Sequence, residues 1–146
     1  MTQQAFATPA EFAEALLAAP ELLGELVAPL SAADQARRAG QLQRFLALVP
    51  VEYGRGVSNG QVTQDLEIRE ATTFRDGAAA AFADLQTALD ARDPAATTRA
   101  AALLGTLEQQ LAAASANKDV PDPDDVQATV DELTATLHGV MPAEWQ

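Results

Sequence analysis

Two glutamates three residues apart, Glu67 and Glu70, are the side chains of this sequence best placed to do chemistry. They fall in a run that reads as a long helix, opened by Thr63 as its cap and extending to about Ala91. Stepping about 100° per residue from Phe74, the residues Ala78, Ala81, Phe82, Leu85 and Leu89 gather into one apolar face. Glu67 falls in the middle of that face and Glu70 at its edge, while Asp65 and Asp76 fall on the opposite side. A carboxylate turned toward a core is costly unless it is paired, hydrogen-bonded or bound to a metal. Two readings therefore stand open. In the first, Glu67 and Glu70 are structural ion-pair residues, and Arg38, on the 38, 42, 45, 49 line of the preceding helix, is their partner; Arg69 and Arg75 point away. In the second they are metal ligands, oxygen donors from adjacent turns completed by Glu52 or by a bundle partner. Inward glutamate pairs hold iron or manganese in helical bundles. The usual di-iron pattern adds a Glu-x-x-His, which this chain lacks.

Little else invites catalysis. There is no cysteine, so disulfides, cysteine-ligated zinc, iron–sulfur clusters and thiol nucleophiles are excluded. The single histidine, His138, lies well off the apolar stripe of its helix and is expected to be exposed near a helix C-terminus. No nucleophile, base and orienting group can be assembled from what remains, so the chain is read as a non-enzyme with no catalytic residues and no organic cofactor. Gly54 and Gly56 lack the strand-before, helix-after setting of a dinucleotide loop and read as turn glycines. Trp145 reads as a packing anchor or a junction.

Charge narrows the partners. The 146 residues carry a net charge of −12. That argues against nucleic acid, which needs a basic face, and against an anionic membrane surface. Residues 1–30 hold four acids and no base, residues 31–118 ten acids and nine bases, and residues 119–146 seven acids and no base. The ends are thus acidic and the middle nearly neutral, and acidic ends of this kind are expected to be solvated. No stretch reaches the ~18 apolar residues of a membrane span, and no signal peptide is visible in MTQQAFATPAEF.

The elements that would position the glutamates are helical. The chain has 33 alanines and clear helix-start signals. Thr8-Pro9-Ala10-Glu11 opens a short segment over about 9–19, Pro20 interrupts it, and a second piece runs to about Ala28. Ser31 opens the next helix, whose stripe is Leu42, Phe45, Leu46 and Val49, and Pro50 is expected to end it. Residues 50–62 read as the least helical part, with Asn59-Gly60 as a tight turn. Asp93-Pro94 and Asp122-Pro123 start two further helices, buried through Ala100, Leu103, Leu104, Leu107, Leu111 and Ala114, and through Val126, Val130, Leu133 and Leu137. The expectation is all-α: an antiparallel bundle of about four main helices with a short N-terminal helical segment, a single domain over 1–146 with loose ends at 1–8 and 140–146. Phe45, Phe74 and Phe82 would be its large core pieces.

The middle of the chain carries a resemblance. Glu52-Tyr53, Gly56-Val57, Asn59-Gly60, Val62, Glu67, Glu70 and Phe74 occur in the order typical of the helical extracytoplasmic domain of Ftr-type bacterial high-affinity iron permeases. The match is close over about 25 residues and by layout over most of the rest. Gly54 stands where that family often has Pro, and Ile68 where it has Tyr between the paired glutamates. The permeases' membrane motif, Arg-Glu-x-x-Glu within apolar helices, and the haem-binding Cys-x-x-Cys-His of some relatives are absent. The resemblance implies a helical bundle, an iron-uptake context, a location outside the cytoplasmic membrane, and a neighbouring membrane iron permease. Iron bound or relayed through Glu67, Glu70 and Glu52 is the functional expectation; a non-catalytic interaction or sensor domain with structural glutamates is its alternative.

Overall fold

The computed structural model describes residues 30–146. Ala32–Gln146 form one compact unit. The N-terminal helical segment expected over about 9–28 lies outside the described residues, as does the expected loose end at 1–8.

Four helices make up the unit: α1 (Ala32–Gly56), α2 (Asp65–Arg92), α3 (Pro94–Ser115) and α4 (Pro123–Val140). Helix α1 packs on α2 and α4, and α3 packs on α2 and α4. Short connections make successive neighbours antiparallel, so the four close into an up-and-down bundle, as the amphipathic pattern predicts. Each helix contributes one apolar line to the core. On α1 it is Ala39, Leu42, Leu46, Val49 and Tyr53, and on α2 Ile68, Ala71, Ala78, Ala81, Phe82, Leu85 and Leu89. On α3 it is Ala100, Leu104, Leu107, Leu111 and Ala114, and on α4 Val126, Val130, Leu133, Leu137 and Val140. Phe45 and Phe74 stack across α1 and α2 with ring centroids 6.2 Å apart.

Two starts follow from side-chain chemistry. Asp93 caps α3 by accepting from the Ala96 amide at 3.1 Å, and Asp122 caps α4 by accepting from the Asp124 amide at 2.8 Å, each with Pro at the next position. Helix α2 begins differently. Gln64 precedes it without a side-chain cap, and Thr63, the expected cap, instead sends its amide to the Gly56 carbonyl at 2.8 Å.

The main departure is at Pro50. Helix α1 does not stop at Val49 but runs through Pro50 to Gly56. An interior proline removes one hydrogen bond and costs about 3 kcal/mol. The buried line Leu42, Leu46, Val49, Tyr53, Gly56 continues across it without a change of period, and packing of that stripe outweighs the loss. Only then does the chain turn. Val57–Ser58 (β1) pairs antiparallel with Gln61–Val62 (β2), Val57 opposite Val62. Asn59 and Gly60 connect them with φ of 55° and 76°, the left-handed pair that a two-residue hairpin turn of type I′ requires.

The C-terminal end is not loose. Met141 and Trp145 are buried, and the Trp145 carbonyl accepts from Gln43 Nε2 at 2.8 Å. Trp145 is thus a packing anchor. His138 is exposed, as expected, with Nε2 3.1 Å from Gln43 Oε1.

Candidate metal centre

Extending α1 past Pro50 changes the setting of Glu52. It belongs not to a loop but to the last two turns of a helix, directly before the hairpin that leads into α2. Its neighbour Tyr53 is fully buried and donates its hydroxyl to the Pro121 carbonyl at 2.6 Å, tying this end of α1 to the α3–α4 connection. Burial first, then the charges of Asp122 and Asp125, push the Tyr53 phenol up to about 12, so it stays protonated and a donor. The hairpin is fastened to the same connection by the Val62 amide, which donates to Asn117 Oδ1 at 3.3 Å.

The hairpin then folds the first turn of α2 back against the last turn of α1. Gly56 makes the close approach possible. A Cβ there would lie 2.9 Å from Ile68 Cδ1, 3.0 Å from the Gln64 carbonyl oxygen and 3.0 Å from Glu67 Cβ. The Gly56 carbonyl accepts from the amides of Thr63 and Gln64.

This places the three glutamates named from the sequence at one point. One carboxylate oxygen from each of Glu52, Glu67 and Glu70 lies within 4.8 Å of the others. They form a graded set, with Glu52 8% exposed, Glu67 half-buried and Glu70 exposed. Glu67 is therefore less central to the apolar face of α2 than its helical phase suggests, and Ile68 takes the buried position beside it.

The expected ion-pair partner is elsewhere. Arg38 donates through Nε to Asp84 at 2.7 Å, and through Nη1 to Gln41. Its place on α1 is about four turns from Glu52. Arg75 is also engaged elsewhere, donating twice to the Leu104 carbonyl. The cation that does approach is Arg55, with Nη1 3.6 Å from Glu52 Oε2. The sequence reading missed it because Glu52 and Arg55 face each other only if both are helical. Their i, i+3 spacing is the signal once the helix runs past Pro50.

One arginine does not balance three carboxylates. Glu52 Oε1 and Glu67 Oε1 are buried and accept no hydrogen bond among the described residues. Glu67 is held above the ordinary glutamate range, chiefly by a hydrogen bond that its protonated form makes with Glu52. Burial and then the charges of Glu52 and Glu70 act in the same direction, while Arg55 acts against them. Two buried carboxylate oxygens without a hydrogen-bond donor, beside a third carboxylate, form a site with oxygen donors to spare. The donors are all hard oxygens, which suit iron, manganese, magnesium or calcium better than soft metals.

A four-helix bundle with this connectivity and three convergent glutamates can be set against known families. The sequence profile of the iron permease-associated 4-helix bundle domain matches residues 29–144. The chain belongs to that family. No curated protein and no solved structure matches it. Membership of the iron permease-associated domains gives the chain an iron-permease, iron-uptake context. None of the described helices of the iron permease-associated domain is long and apolar enough to cross a membrane.

Proposed function

We propose that this domain binds iron through Glu52, Glu67 and Glu70 and relays it to a membrane iron permease, acting outside the cytoplasmic membrane and without catalysis. The observation that carries the reading is the convergence of three carboxylates from two helices, with two buried oxygens lacking any hydrogen-bond partner among the described residues. Iron here is cargo. Its path would begin at the exposed Glu70, on a domain whose net charge of −12 attracts cations. It would end against the buried Glu52. Three oxygen ligands leave part of a six-coordinate shell to water or to an acceptor, which suits transfer better than storage.

The alternative, an interaction domain whose glutamates are only structural, draws support from the Arg55–Glu52 pair. It lacks a comparable ion pair for Glu67 among the described residues, since Arg38 binds Asp84. Calorimetric titration of Fe(II) under anaerobic conditions, Fe(III) from a weak chelate, Mn(II) and Zn(II) separates the two. Iron binding by the wild type that is lost in Glu67→Gln/Glu70→Gln supports the relay. Binding that survives the double substitution refutes the site. No binding by the wild type, together with a less stable double variant, favours the structural alternative.

A further inference from the structure

We propose that Arg55 is the site's own resident cation, pairing with Glu52 in the metal-free domain and competing with the metal that Glu52, Glu67 and Glu70 bind. The inference rests on the carboxylate reading above and adds an internal competitor to it.

Three observations meet at this residue. Arg55 Nη1 stands 3.6 Å from Glu52 Oε2, the most buried of the three carboxylates. The Arg55 side chain is itself 65% exposed while that of Glu52 is 11% exposed. The guanidinium therefore reaches in from solvent and can leave without disturbing the core, whereas the carboxylate cannot. The pair is also loose, longer than a hydrogen-bonded arginine–carboxylate contact of about 2.8 Å, so little holds it closed. Finally, the other inner oxygens, Glu52 Oε1 and Glu67 Oε1, have no hydrogen-bond partner among the described residues, so Arg55 neutralises the set only in part.

A hard metal ion sits roughly 2 Å from its carboxylate oxygens. With Arg55 unmoved, its charge would then lie about 6 Å from the metal. At that separation a unit charge disfavours a divalent cation by roughly tenfold in a water-like medium, and by roughly threefold once salt screening is included. Removing the charge therefore tightens metal binding. That sign distinguishes the proposal from a structural role. Arg55 lies in the last turn of α1, where a positive charge favours the helix dipole. A purely structural Arg55 would cost stability on removal and leave metal affinity unchanged or weaker.

The test is titration of Mn(II) alone into the full chain, followed by calorimetry and by loss of the free-ion electron paramagnetic resonance signal. The variants are Arg55→Gln, Arg55→Lys, Arg69→Gln and Glu67→Gln/Glu70→Gln. Arg69 adjoins Glu70 in sequence and controls for loss of one positive charge at this end of the bundle. The expected result is a three- to tenfold lower Kd for Arg55→Gln, a Kd near that of the wild type for Arg55→Lys, and a change of less than about twofold for Arg69→Gln. Thermal melts of the metal-free variants establish that each is folded. An Arg55→Gln variant that binds as the wild type does or more weakly overturns the role of Arg55, as does an equal gain from Arg69→Gln. Binding that survives Glu67→Gln/Glu70→Gln overturns the carboxylate reading itself. Absence of Mn(II) binding in both the wild type and Arg55→Gln overturns both.

Discussion

Adding one methyl group at Gly56 should separate the two halves of the glutamate cluster, and its cost can be worked from the contacts. The new Cβ would stand 2.9 Å from Ile68 Cδ1, 3.0 Å from the Gln64 carbonyl oxygen and 3.0 Å from Glu67 Cβ. The first neighbour is the tip of a flexible side chain and can rotate away. The other two belong to the backbone and first side-chain carbon of the α2 start, and can move only if α2 moves. Overpacking of this kind costs about 1–3 kcal/mol. Against it stands the helix-propensity gain of Gly→Ala, up to about 1 kcal/mol. Gly56→Ala should therefore come out roughly 0.5–2 kcal/mol less stable than the wild type. Gly54, two residues earlier in the same helix, is the internal control. A Cβ there meets nothing within 4 Å, so Gly54→Ala keeps only the propensity gain and should be stabilised by about 0.5–1 kcal/mol. Urea unfolding of the two variants side by side reads the difference, with thermal midpoints moving roughly 2–4 °C per kcal/mol. Metal affinity should fall in Gly56→Ala and stay unchanged in Gly54→Ala, because only the first moves Glu67 away from Glu52. A Gly56→Ala protein at least as stable as Gly54→Ala would refute the close-approach argument.

Other outcomes follow from named contacts. Glu67 binds its proton more tightly in the folded chain than in the unfolded one. The metal-free domain should therefore lose stability as pH rises through the folded-state value and regain it on acidification. Glu67→Gln should remove that dependence, melting above the wild type at about pH 7 and approaching it at about pH 4; a lower melting temperature at neutral pH would contradict the electrostatic account. Arg38→Met breaks a half-exposed pair with Asp84 and should cost less than about 1 kcal/mol in chemical denaturation, with metal affinity unchanged. Tyr53→Phe leaves the Pro121 carbonyl without its donor and should cost about 1 kcal/mol, with faster amide exchange over residues 118–122. Asp93→Ala removes the cap of α3 and should cost about 1 kcal/mol by the same unfolding assay.

What the sequence made legible, and what it hid, comes down to which physical signal was strongest locally. The stripes of α3 and α4 are regular, and their starts are marked by Asp-Pro pairs, so both could be read nearly residue by residue. Leu103 is the exception, half-buried where the core line is carried by Ala100, Leu104 and Leu107. The end of α1 was obscured by Pro50 and three nearby glycines, local signals for a break that the buried line through Tyr53 overrides. That misreading kept Glu52 in the ligand set but put it in a loop, read Gly56 as a turn glycine, and concealed Arg55 altogether. Periodicity also placed Glu67 deeper than it lies, because the apolar line of α2 was phased from its C-terminal half. Near the start of the helix, Ile68 and Ala71 carry the burial instead. The partner assigned to the glutamates failed for a simpler reason. Arg38 shares the inward line of α1 but stands far up the helix, where Asp84 is in reach. Helical phase tells which way a side chain points, and only tertiary pairing tells what is opposite.

The distribution of aromatic residues gives this bundle an optical property of its own. The chain has one tyrosine and one tryptophan, and the fold sends them to different places. Tyr53 is adjacent to Glu52, while the Trp145 carbonyl is held by Gln43, ten residues earlier on the same helix and so roughly 15 Å along its axis. Each ring therefore marks one location. A paramagnetic ion at the glutamates should quench the tyrosine band first, leaving the indole as an internal reference recorded in the same spectrum.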